Sequence, residues 1–308
     1  MSGNSKQTVR DEKRFVALSS VAAAVVLTGT KLVVGFSTGS LGILSEAAHS
    51  GLDLVAAGVT YWAVRVSSRP ADLDHTYGHG KFENLSALFE TVLLLATCAW
   101  IVYESVERLF FADVVKIYPS VWGFVIMALS IGIDFSRSRA LSRVAKKYKS
   151  QALEADALHF STDIWSSAVV IGGLLVVFVA RKLGIAWLEK ADALAALTVA
   201  GIVTGVSFKL GKKSIDDLLD AVPPGMKEQV AHVAEVEGVV EILKVRIRRS
   251  GPELFADVTL SVLQDTSFQR AHDIATASEA AIRGLFPGTD VTVHTEPVED
   301  PVNSSDGR

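Results

Sequence analysis

Two histidine–aspartate pairs carry the chemistry of this chain: His49 with Asp53, and His159 with Asp163. Four residues is just over one helical turn, so each pair projects from one face of a helix. Both pairs interrupt strongly apolar stretches. Ionisable groups are costly in hydrocarbon and there mark a path for ions or protons. One pair alone reads as a structural hydrogen bond. Two pairs in separate apolar helices supply two imidazole nitrogens and two carboxylates, the four ligands of a tetrahedral zinc-type site. The donor set also accepts Co2+, Cd2+, Fe2+ and Ni2+, whereas calcium and magnesium want all-oxygen shells. With no thiolate, such a site binds more weakly than a structural zinc–cysteine site, as an ion that must be released requires. Metal binding needs deprotonated ligands and therefore displaces protons, and histidine titrates near neutral pH. Glu46 and Asp156, one turn before each histidine, read either as outer hydrogen-bond partners of the ligands or as residues at the aqueous ends of their helices.

The elements that must position these pairs are membrane helices. The chain has 308 residues, 49% of them hydrophobic, and a mean hydropathy of +0.35. The apolar residues fall into six runs: Phe15–Phe36, Leu41–Val66, Leu85–Phe111, Ile117–Phe135, Ala155–Ala180 and Ala191–Leu210. Each is near the ~20 residues that span a bilayer core. Continuous runs rich in Ala, Leu and Val fit helices and lack the alternation of a barrel strand. The first run is too long for a cleavable signal peptide and has no small-residue cleavage site behind it. Cys98, the one cysteine, sits within a span, which excludes a disulfide framework and marks it as a packing residue. Gly201 and Gly205 form a GxxxG in the sixth run and read as close helix packing.

Basic residues give the orientation. Lys6, Arg10, Lys13 and Arg14 precede the first span; Arg65, Arg69 and Lys81 follow the second. Arg137, Arg139, Arg143, Lys146, Lys147 and Lys149 lie between the fourth and fifth. The opposite connections hold only Arg108, Lys116, Arg181, Lys182 and Lys190. The positive-inside rule puts both termini in the cytoplasm. The expected organisation is a cytoplasmic tail over 1–14, a six-span membrane domain over 15–211, a linker over 212–225 ending in Pro223-Pro224-Gly225, a cytoplasmic domain over 226–298 and a disordered tail over 299–308. In the cytoplasmic domain, Met226–Val236 has helical composition, and Glu241–Arg249 and Leu254–Val262 alternate like strands. Ser267–Leu285 is an amphipathic helix with a serine cap, and Asp290–Thr295 a short strand. The order α-β-β-α-β predicts a small open sheet with helices on one face.

Three motifs resemble the cation diffusion facilitator family. They are Gly39-Ser40-x-x-Ile43-Leu44 leading to Ala48-His49-Ser50-x-x-Asp53; Pro70-Ala71-Asp72-x-x-His75-x-Tyr77-Gly78-His79-Gly80-Lys81-x-Glu83; and Asp156-Ala157-Leu158-His159-x-x-x-Asp163. With the six-span plan and the α-β-β-α-β domain, the resemblance covers residues 10–298. It implies a membrane α-helical protein of six transmembrane helices with a metallochaperone-like α+β cytoplasmic domain. It further implies a homodimer in a lipid bilayer that exports a divalent metal from the cytoplasm in exchange for protons by alternating access.

The same resemblance assigns the transport site to His49, Asp53, His159 and Asp163. A histidine at the first of these positions resembles the zinc-transporting branches, so Zn2+ is the implied substrate. The resemblance implies a second metal site at Asp72, His75 and His79 in the loop after the second span. It places His272, His294 and Glu296 at ligand-like positions of the cytoplasmic domain. Leu243 and Thr259 stand where some members have histidines, which leaves room for one site at most. Lys81 resembles a lysine that pairs with an aspartate after the sixth span, here Asp220. The short chain lacks a histidine-rich loop between the fourth and fifth spans, as expected of a bacterial inner-membrane protein.

Neither an organic cofactor nor a nucleic-acid partner is implied. An intramembrane metalloenzyme is disfavoured: there is no HExxH, and seven scattered histidines are too few for a multi-histidine di-iron cluster. A membrane-embedded metal sensor without flux is the remaining alternative.

Overall fold

The computed structural model describes residues 3–38, 41–110, 121–183 and 191–298. Phe111, the start of the fourth apolar run before Val121 and the 299–308 tail lie outside them. The chain divides into two compact units, Ser2–Ile215 and Asp216–Arg308.

Among the described residues the first unit has six helices: α1 (Gly3–Thr38), α2 (Leu41–Ser67), α3 (Lys81–Phe110), α4 (Val121–Tyr148), α5 (Gln151–Leu183) and α6 (Ala191–Leu218). The shortest has 27 residues, about 40 Å at 1.5 Å per residue and longer than a ~30 Å hydrocarbon core. Two stretches, Gln7–Ser37 and Lys81–Glu107, pass as spans by length and apolarity alone. The surface is inverted relative to a water-soluble bundle. Val26, Val33 and Phe36 on α1, Trp62 on α2, Val92 and Trp100 on α3 and Phe208 on α6 are exposed, whereas Glu83, Asn84, Glu90 and Asp156 are fully buried. Such a surface fits lipid.

Helix α1 packs on α2 and α4, α4 on α5, and α3 on α2 and α5. Small residues allow the close approach: Ala17, Ala145, Ala152 and Ala157 share a core with Val64, Leu141, Leu153 and Phe160. Cys98 is buried, as a packing residue should be. The α4–α5 link is two residues long, with Lys149 in the left-handed region at φ 52 and the Ser150 N–H donating to the Ala145 carbonyl at 3.1 Å. This tight reversal lays α5 back along α4.

Three sequence expectations change. Helix α1 begins at Gly3, and Lys13, expected in a polar tail, is buried. Helix α6 runs on to Leu218, so the first half of the expected linker is helical. A Cβ at Gly201 or Gly205 would meet nothing within 4 Å, so the GxxxG face is not packed on another helix of the same chain among the described residues. The motif reports small residues, not what faces them.

The second unit has the order α7 (Met226–Ala234), β1 (Glu241–Ser250), β2 (Glu253–Val262), α8 (Phe268–Leu285), β3 (Asp290–Pro297). The sheet order is β1-β2-β3, antiparallel between β1 and β2 and parallel between β2 and β3. The hairpin loop is Gly251-Pro252, with Gly251 at φ 59, the left-handed conformation a two-residue hairpin needs. The parallel pair requires a crossover, which α8 supplies. Ser267 caps α8, its side chain accepting from the Arg270 N–H at 3.3 Å. Val230 and Ala234 of α7 and Ile282 of α8 share one core with Val245, Ile247, Ala256, Val258 and Val291. Both helices therefore cover the same sheet face, and alternation turns Arg246, Asp257, Thr259 and His294 to the other.

Candidate metal centre

The four predicted ligands converge. Asp53 Oδ1 lies 3.0 Å from His159 Nε2 and 4.0 Å from His49 Nε2. Asp163 approaches the same two rings with its two oxygens, Oδ2 at 3.6 Å from His159 Nε2 and Oδ1 at 4.0 Å from His49 Nε2. A tetrahedral zinc with bonds of 2.0–2.2 Å has ligand atoms about 3.4 Å apart. The separations of Asp53 Oδ1 from the two rings, 3.0 and 4.0 Å, bracket that edge length. Ligand atoms of His49, Asp53 and Asp163 lie within 4.8 Å of one another; His159 meets the two aspartates but stands outside that mutually close set. His159 is 6% exposed and His49 42%, so the site has a buried floor and a reachable side. Helix pitch explains the convergence: each pair is one turn of one helix, and α2 packs on α5. Of the two outer candidates, Asp156 is fully buried and accepts from the Ser20 hydroxyl at 3.2 Å; it is not at an aqueous end. The Glu46 side chain lies outside the described set.

The α2–α3 loop forms a second cluster. Asp72 Oδ1 accepts from the backbone N–H groups of Asp74 and His75, at 3.1 and 2.7 Å. This Asx-type turn, with Gly78 at φ 77, folds the loop so that Asp72 Oδ1 lies 3.3 Å from His75 Nδ1 and Oδ2 lies 3.2 Å from His79 Nε2. The two rings sit 4.4 Å apart. One ligand atom from each residue falls within 4.8 Å of the others. Three donors with the fourth position open suit a labile transition-metal site.

The His75 N–H, above all, holds the Asp72 carboxyl below its ordinary 3.8. A depressed carboxyl contributes order above its ordinary value and loses it as pH falls through the lowered one. We expect hydrogen-exchange protection factors over 72–79 to drop in Asp72→Asn at pH 7, and the two proteins to converge as pH falls through the lowered Asp72 value. Equal protection at pH 7 would show that Asp72 does not hold the loop.

The match to known proteins covers both units. Residues 17–219 match the model of the cation efflux transmembrane domain, and residues 223–298 that of the cation efflux protein cytoplasmic domain. The chain is a cation diffusion facilitator. It is thus a membrane protein of a divalent-cation efflux family, built from a transmembrane and a cytoplasmic domain. The facilitator is 31% identical to the cation-efflux pump FieF of Cronobacter sakazakii, over 93% of this chain and 94% of that protein. It is 32% identical to the uncharacterized transporter sll1263 of Synechocystis, over 94% and 91%. Among solved structures, a cadmium form of a MamM C-terminal domain is 26% identical, covering 25% of this chain and 98% of that one with a TM-score of 0.24.

The other predicted site residues of the facilitator are less gathered. His294 Nε2 lies 3.6 Å from Glu296 Oε1, both exposed on β3. His272 is exposed on α8, which covers the opposite sheet face, so one chain does not bring the three together. Lys81 opens α3 in the first unit, and Asp220 follows α6 in the second, at φ 59.

Sequence reading missed several buried charges. Lys31, Asp134 and Arg137 line the same cavity as His49, Asp53 and Asp163. Glu90 is fully buried and accepts from the Thr60 hydroxyl. Lys31 and Glu90 were detectable as charges inside apolar runs. Arg137 was counted as a loop cation but is 7% exposed, with its guanidinium 3.5 Å over the Phe160 ring and 3.3 Å from Asp134.

Proposed function

We propose that the facilitator exports Zn2+ from the cytoplasm in exchange for protons, by alternating access, with His49, Asp53, His159 and Asp163 as the transport ligands. The observation that carries this reading is the set of four histidine–aspartate separations, 3.0, 3.6, 4.0 and 4.0 Å, between side chains of two packed helices. Two imidazoles and two carboxylates suit zinc and can release it, since none is a thiolate. The ligands stand eight to twelve residues from the starts of α2 and α5, about 12–18 Å along each axis. The charge bias starts those helices on opposite sides of the bilayer, with both termini cytoplasmic. That depth is near the midplane, where a site opening alternately to each side belongs.

Protons enter through the ligands themselves, because each must be deprotonated to hold metal. The Asp72, His75 and His79 cluster is a second zinc site on the cytoplasmic side. In the homodimer, His272, His294 and Glu296 supply at most one weaker cytoplasmic site. A bacterial inner membrane fits the short basic connections.

Proteoliposomes carrying the full chain test the reading. Zn2+ uptake is expected to accelerate with an outward proton gradient and to carry protons out of the vesicles when none is imposed; uptake with no proton counterflow would refute exchange. His49→Asp removes one of the two imidazoles that suit zinc and is expected to move the zinc-to-cadmium rate ratio about tenfold towards cadmium. An unchanged ratio would mean that His49 does not set the choice of ion.

A further inference from the structure

The cavity that holds the ligand carboxylates also holds fixed positive charge, an odd furnishing for a site that must attract a dication. Lys31 of α1 is 5% exposed and lines that cavity with His49, Asp53 and Asp163. Its Nζ donates to Ser50 Oγ at 2.7 Å. Ser50 follows His49, and its carbonyl accepts from the Thr28 hydroxyl at 2.9 Å. The ammonium is therefore tied to the turn of α2 that carries the ligands. From α4, Asp134 and Arg137 complete the wall. Arg137 has its own compensation in Asp134 at 3.3 Å, the Ser20 hydroxyl at 3.0 Å and the Phe160 face. A buried ammonium in a membrane helix is expensive and persists where it serves a function.

We propose that Lys31 is a tethered counter-cation that weakens the hold of Asp53 and Asp163 on the transported metal, so that the ion can leave. The inference rests on the four-ligand reading of the transport site. Two carboxylates and two imidazoles shielded from water would retain a dication too long for turnover, because Coulomb attraction rises as the dielectric falls. A fixed charge in the same cavity repels the bound metal without competing for its coordination positions. In the metal-free protein the same charge offsets the carboxylates, so the emptied site need not draw all its compensation from protons. Lys31 thus acts through the electrostatics of the site and touches no reacting atom.

The test compares Lys31→Gln, Lys31→Arg and Asp163→Asn in the full chain. Zn2+ affinity is measured by calorimetry in detergent, and KM and kcat by proteoliposome uptake. Lys31→Gln is expected to tighten Zn2+ about tenfold or more, with KM and kcat falling together because release slows. Lys31→Arg restores the charge and the wild-type Kd. A purely structural lysine would give weaker binding or a fall in kcat alone, so an unchanged or raised Kd in Lys31→Gln overturns the proposal. If Lys31→Gln does not fold, Lys31→Met, which keeps the length of the side chain without its charge, takes its place. It is expected to tighten Zn2+ about tenfold; an unchanged or raised Kd there overturns the proposal equally. Asp163→Asn separates the two levels. Wild-type zinc affinity in that variant sinks the four-ligand site itself, whereas lost affinity beside an unaltered Lys31→Gln sinks only the role of Lys31.

Discussion

Asp53→Ala and Asp163→Ala are each expected to reduce zinc flux by at least a hundredfold, to the level of protein-free vesicles. Each aspartate faces both histidines, Asp53 at 3.0 and 4.0 Å and Asp163 at 3.6 and 4.0 Å. Either truncation leaves three ligands, removes half of the anionic charge and takes away one of the two carboxylates that face both rings. Loss of even an outer partner of a metal ligand typically costs 10–100-fold in affinity, and loss of the ligand itself costs more. Asp53→Asn is the informative companion. It keeps the shape and one acceptor oxygen but drops the charge, so recovery would assign the effect to geometry and continued failure to charge. Uptake with a fluorescent zinc indicator inside vesicles reads both. Wild-type rates in either alanine variant would remove that residue from the path.

The second large effect is on stability. Glu83 is fully buried and accepts from Lys13 of α1, from the Ser67 hydroxyl of α2 at 2.9 Å and from Ser150 at the α4–α5 turn. One carboxylate on α3 thus gathers four elements at one end of the bundle. The adjacent Asn84 donates to Gln151 Oε1 at 2.8 Å, which extends the contact to the start of α5. Glu83→Ala would strand a buried Lys13 ammonium. Breaking a buried pair in this way destabilises by about 3–5 kcal/mol, far more than a surface pair contributes. Thermal unfolding in detergent is expected to shift down sharply. Glu83→Gln, which keeps the shape and can still engage the two serines, should shift less. Equal melting of Glu83→Ala and wild type would show that the junction holds nothing. Loss of zinc flux beside a normal melting curve would instead give Glu83 a part in transport.

These two sites were legible in the sequence to different degrees, for a physical reason. The transport ligands are two i,i+4 pairs, so helical pitch alone brings each pair to one face; only the meeting of α2 with α5 had to be supplied by the fold. The α-β-β-α-β order was equally local: alternation marked β1 and β2, and Ser267 marked the start of α8. The Lys13–Glu83 contact spans 70 positions. Nothing near Lys13 distinguishes it from Arg10 or Arg14, so it read as a tail cation. Arg137 was hidden in the same way among the basic residues that orient the protein. Its burial depends on Phe160 and Asp134, which local pattern does not report. Lys31 and Glu90 were visible as charges in apolar runs, but their purpose was not, because a lone charge names no partner.

The most direct measurement is a structure of the full chain soaked with Zn2+, with anomalous scattering recorded at the zinc edge. The account expects a peak between α2 and α5, with His49, Asp53, His159 and Asp163 each about 2.0–2.2 Å from the ion, and its disappearance in Asp163→Ala. A zinc peak in the membrane domain that these four side chains do not coordinate would contradict it.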